Sequence, residues 1–219
     1  MEYLLSMNQD CGHEQFISLP LFSTDLNLPS IPEVDLAFAI SAASVEADDN
    51  FEKAKEVIKA IIDTYGMNKL RYGVIVFGPR ASTKVSFRDD FPNDDDLKTI
   101  VSLLSVPKQL PNLEEALKEG KELFDNAEQR PNARKVLVVI ADKKSTSKLS
   151  DLKDSAKLLE EDGIKVIPVA IGDEVGHSEL EAMTPEKTNL VNVSTDVDLM
   201  DLKNRIMNKV FKGKTFKRK

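Results

Sequence analysis

Cysteine is almost absent from this chain. Cys11 stands alone among 219 residues, so no disulfide framework can form within it. That scarcity leaves the compartment open, because a secreted domain can lack disulfides or pair one thiol with another chain. Histidine is nearly as scarce, at His13 and His177. His13 near Cys11 finds no further Cys or His to complete a metal site, and a His-dependent catalytic triad has few candidates. No apolar run is long enough to span a bilayer. Met1–Asn8 lacks the positive and apolar regions of a signal peptide. Two expectations stay open from this: a cytosolic protein, or a piece of a longer secreted one. Positive charge is in deficit, with a formal net charge of −7, which argues against generic nucleic-acid binding. The exception is the basic tail Lys212–Lys219. It reads first as a solvated end, and second as a contact for an anionic surface or a glycosaminoglycan.

What is present suits a globular protein. Hydrophobic residues at 41% and charged residues at 31% allow a real core, and the length fits one domain with extensions. Residues 1–32 lack periodicity and contain Pro20, Pro29 and Pro32, so they read as an extension or linker, with a short element near Phe16 to Phe22. From Glu33 onward, strand and helix patterns alternate. Leu36–Ile40 is a continuous apolar run, as in a strand buried on both faces. Phe51, Ala54, Val57, Ile58, Ile61, Ile62 and Tyr65 have helical spacing, with Asp49 or Asn50 as cap and Gly66 as terminator.

The remaining elements follow in the same way. Arg71–Phe77 is the next strand, turning at Gly78-Pro79, and Thr83–Phe87 alternates as an antiparallel edge strand. Helices are expected at Asp95–Leu104 and at Leu113–Phe124, the second capped by Asn112. Lys135–Ala141 and Ile164–Ile171 are buried strands flanking a helix at Leu149–Asp162 that Gly163 closes. A short helix near Ser178–Met183, a short strand at Leu190–Val193 and a helix at Asp196–Phe211, capped by Thr195 or Asp196, complete the series. The predicted fold is α/β: a doubly wound, mostly parallel sheet with one antiparallel edge strand and helices on both faces. Such sheets place their ligand site at the carboxyl ends of the strands, where strand order reverses. The segments Ser41–Asp49 and Asp142–Ser147 belong there.

Several enzyme classes lack their parts. The first of these loops has no Gly, so it is neither a P-loop nor a dinucleotide fingerprint. No Gly-x-Ser-x-Gly elbow is present. A receiver-type phosphoacceptor needs adjacent acids where Ser41-Ala42 stands. The acidic groups Glu46, Asp48, Asp49 and Asp89, Asp90, Asp94, Asp95, Asp96 lack the spacing of a calcium loop, and Asp94–Asp96 suits a helix N-terminus.

Six blocks in order carry a family resemblance. Asp35-Leu36-x-Phe38-x-Ile40 and Asn50-Phe51-x-Lys53-Ala54-Lys55 bracket the first loop. Tyr72–Phe77, Leu113-x-x-Ala116-Leu117, Lys135–Asp142 and Gly163–Gly172 follow. Together they resemble a von Willebrand factor A domain over about 33–211, leaving 1–32 as an extension and 212–219 as a tail. The family holds a divalent cation with an Asp and two Ser in the first loop, a Thr before the third helix and an Asp after the fourth strand. The matching positions here are Ser41, Ala43, Val45, Leu110 and Asp142. One carboxylate and one hydroxyl, with Ser44 as a shifted substitute, are too few oxygen donors for Mg²⁺. The expectation is a degenerate site without metal or other cofactor, and Asp142 reads as a cap or loop residue.

The resemblance is closest to matrix-type A domains such as those of matrilins and collagens. It implies a non-enzymatic, secreted adhesion or matrix module that binds a protein partner without a cation. Two alternatives are an intracellular A-type scaffold and a small-molecule-binding α/β domain using Ser41, Ser44 and Asp142. Closure of the crevice by Leu110 and Val45 would argue against the last.

Overall fold

The apolar run around Phe38 becomes the middle of strand β1 (Val34–Ser41), in which every residue is buried. The computed structural model describes residues 31–41, 48–105 and 109–212. After β1 come α1 (Asp48–Tyr65), β2 (Leu70–Phe77), β3 (Ala81–Val85), α2 (Asp94–Ser102) and α3 (Leu113–Asp125). Then follow β4 (Arg134–Ala141), α4 (Leu149–Glu161), β5 (Ile164–Ile171), α5 (His177–Ala182), β6 (Val191–Val193) and α6 (Leu199–Phe211).

The strands form one sheet in the order β3-β2-β1-β4-β5-β6. All neighbours are parallel except β2 and β3, so the antiparallel strand lies at an edge as its alternation predicts. It spans Ala81–Val85, two residues earlier than the pattern suggests, with a register irregularity at Val74/Ile75. Strand order reverses between β1 and β4, which places the switch point there.

Alternate residues of β1 divide the core. Val34, Leu36, Phe38 and Ile40 face α1, α2 and α6. Ala37 and Ala39 face the side covered by α3, α4 and α5. Period-two alternation with apolar residues on both faces is what makes the sequence run continuous. The small side chains on the second face let α3 approach closely. A Cβ on Gly120 of α3 would meet Leu137 Cδ2 at 2.5 Å, and one on Gly73 of β2 would meet Leu123 Cδ2 at 2.6 Å.

Helix ends follow local chemistry, with two corrections. Gly66 takes φ +60° after α1, and Gly163 takes φ +72° after α4, in the left-handed region glycine tolerates. Asn112 caps α3, accepting from the Glu115 N–H at 3.3 Å. Helix α1 begins at Asp48, so Asp49 and Asn50 lie inside its first turn rather than capping it. Helix α6 begins at Leu199, because Asp198 accepts from the N–H groups of Met200 and Asp201 at 2.8 and 3.2 Å. Asp196 instead accepts from the Ser194 hydroxyl, which holds its carboxyl below the usual range. The element expected near Phe16 to Phe22, together with Cys11 and His13, falls outside the described residues.

At the amino ends of the strands a buried carboxylate organises two arginines. Asp35 is 2% exposed. Arg71 meets it through Nε at 3.0 Å and Nη2 at 2.8 Å, and Arg130 Nε donates at 2.8 Å. Arg71 also lies over the Phe87 ring. No helix among the described residues is long and apolar enough to cross a membrane.

Candidate functional site

Parallel pairing brings the ends of β1 and β4 side by side. Ile40 is in register with Ile140, so Ser41 ends β1 beside Ala141, and Asp142 follows directly. Both are buried, each 4% exposed. The Ser41 hydroxyl makes no hydrogen bond among the described residues. Ala43, Ser44 and Val45 lie outside the described residues. Leu110 precedes α3 and is 57% exposed, so it does not close the crevice. Two residues on, Asn112 N–H donates to Gly78 O at 2.8 Å.

The loop after β4 is fastened to the start of α3. The first N–H groups of a helix have no partner within the helix. Here three of them meet side-chain oxygens. Leu113 N–H donates to Ser145 Oγ at 3.0 Å, Glu114 N–H to Ser147 Oγ at 3.0 Å and Glu115 N–H to Asn112 Oδ1. The hydroxyls then chain together. Ser145 Oγ donates to Ser147 Oγ at 2.8 Å, and Ser147 Oγ donates to Asn112 Oδ1 at 2.7 Å. Ser147 N–H closes back on Ser145 Oγ at 3.0 Å.

Further bonds widen this lock. Thr146 N–H donates to Pro111 O at 2.9 Å. Ser145 N–H donates to the buried Glu179 carboxylate on α5 at 3.2 Å. Lys143 pairs with Glu174. The positive end of α3 is therefore already occupied by protein oxygens rather than open to an anion. Ser145, Ser147 and Glu179 were not singled out in the sequence. The Ser-Thr-Ser run at 145–147, placed by topology opposite a helix start, is the signal that could have found the first two.

A hard divalent cation takes about six oxygen ligands. At the five positions of the family's ion site, the described residues offer the Ser41 hydroxyl and the Asp142 carboxylate, while Leu110 brings hydrocarbon. Ala43 and Val45 bring hydrocarbon by sequence. No group of three His, Cys, Asp or Glu among the described residues could hold a metal ion. By sequence, Ser41 and Asp142 are the two of these five positions whose side chains carry oxygen.

The acidic residues have local work. Asp94, Asp95 and Asp96 occupy the first turn of α2, behind the Asn93 cap. Asp89 accepts from Ser86 N–H at 2.8 Å. Asp49 is exposed, and Glu46 lies outside the described residues. His177 is exposed and 3.3 Å from Glu181 on the same helix.

Residues 35–205 match the von Willebrand factor type A domain family. The chain is 27% identical over 197 residues to the collagen alpha-5(VI) chain of Mus musculus, a match covering 86% of this chain and 7% of that one. It superposes on proximal thread matrix protein 1 from the mussel byssus with a TM-score of 0.73 at 19% identity, covering 82% of this chain and 48% of the other. A second structure of that byssus protein, with a zinc-occupied MIDAS motif, gives a TM-score of 0.70 at 19% identity, covering 82% of this chain and 46% of the other. The chain thus spans a small part of its collagen relative and about half of its structural neighbour.

Proposed function

The chain belongs to the von Willebrand factor type A domain family, and on that premise we propose that it is a non-enzymatic, extracellular protein-binding module that engages a matrix partner without a bound cation. The kinship with a collagen chain supports the matrix setting. The observation that carries the metal-independent part is the lock at the strand ends. A bound ion would tie the first loop, the α3 approach and the loop after β4 together through oxygen donors. In this chain Ser145, Ser147 and Asn112 tie the last two directly, and Leu110 stands outward at a ligand position. Residues 33–211 form the binding domain in this reading, with 1–32 as an extension and 212–219 as a tail.

The test is binding of the full chain to decellularised connective-tissue matrix, with Mg²⁺ and with excess EDTA. Saturable binding of equal strength in both conditions is expected. Binding that EDTA abolishes would contradict metal independence, and absence of saturable binding would contradict the matrix role.

A further inference from the structure

The chain is acidic overall, yet its last 18 residues, 202–219, hold eight Lys and Arg and no Asp or Glu. Along α6, Arg205, Asn208 and Lys209 stand at i, i+3 and i+4 and share one stripe, which the C-cap Lys212 extends. That stripe walls a groove of about 360 Å³ against edge strand β6, floored by Val191 and flanked by Asn192. Two more cations approach from the starts of neighbouring strands. Lys165 Nζ donates to the carbonyls of Lys209 and Lys212 at 2.6 Å each, and Arg134 donates to Phe211 O at 2.7 Å. Burial lowers the pKa of Lys165, and its cationic neighbours Lys209, Arg134 and Lys212 add to this against Glu186. On the stripe's own helix the acid is Asp201, 2.9 Å from Arg205 Nε.

Like charges gathered at this density repel unless a partner neutralises them. We propose that this groove binds a linear sulfated polysaccharide. The sulfates would meet Arg205, Lys209 and Lys212, and the carboxamides of Asn192 and Asn208 would bond sugar hydroxyls. The groove's polar walls suit a sugar chain; a bilayer contact would want an exposed apolar rim. The basic tail continues the same charge directly after Lys212. None of the residues lining the groove belongs to the strand-end site, so the inference does not depend on how that site works.

The test titrates the full chain with size-defined heparin oligosaccharides at about 0.15 M salt. Arg205→Gln/Lys209→Gln should weaken binding about tenfold or more. Asn208→Asp, an exposed change that adds a carboxylate to the wall, should weaken it too while leaving the circular dichroism spectrum unchanged. Lys153→Gln/Lys157→Gln on α4 removes the same charge elsewhere and should change affinity less than about twofold. The proposal is overturned by equal losses in the α6 and α4 variants. It is also overturned by loss confined to Lys214→Gln/Lys217→Gln/Arg218→Gln/Lys219→Gln, by equal affinity for desulfated heparin, by tighter binding to phosphatidylserine vesicles, or by no binding at all.

Discussion

The backbone N–H of Leu113 donates to the Oγ of Ser145 at 3.0 Å, across 32 residues of sequence. With the bond from Glu114 to Ser147, it joins the first turn of α3 to the loop after β4. The buried hydroxyl of Ser145 thus holds two segments in fixed relation.

Ser145→Ala should strand two N–H groups, those of Leu113 and Ser147. Leaving such donors unsatisfied costs about 2 kcal/mol. The urea midpoint should fall with an unchanged slope, and amide exchange at Leu113 and Glu114 should accelerate. An unchanged midpoint would show that the lock carries no stability.

Asp35→Asn should be more damaging. It removes the charge that two guanidinium groups share at a carboxylate only 3% exposed in its side chain. Breaking a buried pair from one side costs about 3 kcal/mol. Chemical denaturation measures this directly, and Arg71→Met alone should cost less because Arg130 still neutralises Asp35.

Gly120→Ala sets two effects against each other. Replacing Gly in a helix gains about 1 kcal/mol. The new Cβ meets fully buried Leu137 at 2.5 Å, and such overpacking costs about 1–3 kcal/mol. Net destabilisation is expected, and adding Leu137→Val should recover part of it. Additive losses in the double variant would rule out the contact as the cause.

Tyr72 provides a pH signature. Burial raises its phenol pKa well above the ordinary 10.0, with Asp94 and Tyr65 adding to it. The folded state therefore disfavours the phenolate. Its contribution to stability is complete below pH 10.0 and declines as pH rises beyond that, while the unfolded chain ionises. Tyr72→Phe should flatten that alkaline decline and lose the 3.2 Å bond to Gly66 O, worth about 1 kcal/mol. Denaturation midpoints between pH 9 and 11 would show no difference in slope if the phenol were solvated (roughly the span of its ordinary titration).

Much of this architecture is written in local pattern. The runs at Leu36–Ile40 and Val136–Ile140 are apolar because both sheet faces are covered, and Asn112 announces α3 because capping needs only its neighbours. Boundaries drifted where two acceptors competed, as at Asp196 and Asp198. The site was half legible. Topology from the sequence pattern brings Ser41 and Asp142 to adjacent strand ends. The lock was hidden because Ser145, Ser147 and Asn112 are ordinary loop residues until the fold closes more than 30 residues between them. The α6 groove was hidden for a similar reason: its stripe reads as a solvated face until β6 is set beside it.

Calorimetric titration of the full chain with Mn²⁺, beside the variant S41D/A43S/V45S/L110T, tests the central claim most directly. The account predicts no saturable heat from the parent chain at micromolar ion and measurable binding by the variant, whose restored donors join Asp142. Micromolar binding by the parent chain that Asp142→Ala abolishes would contradict it.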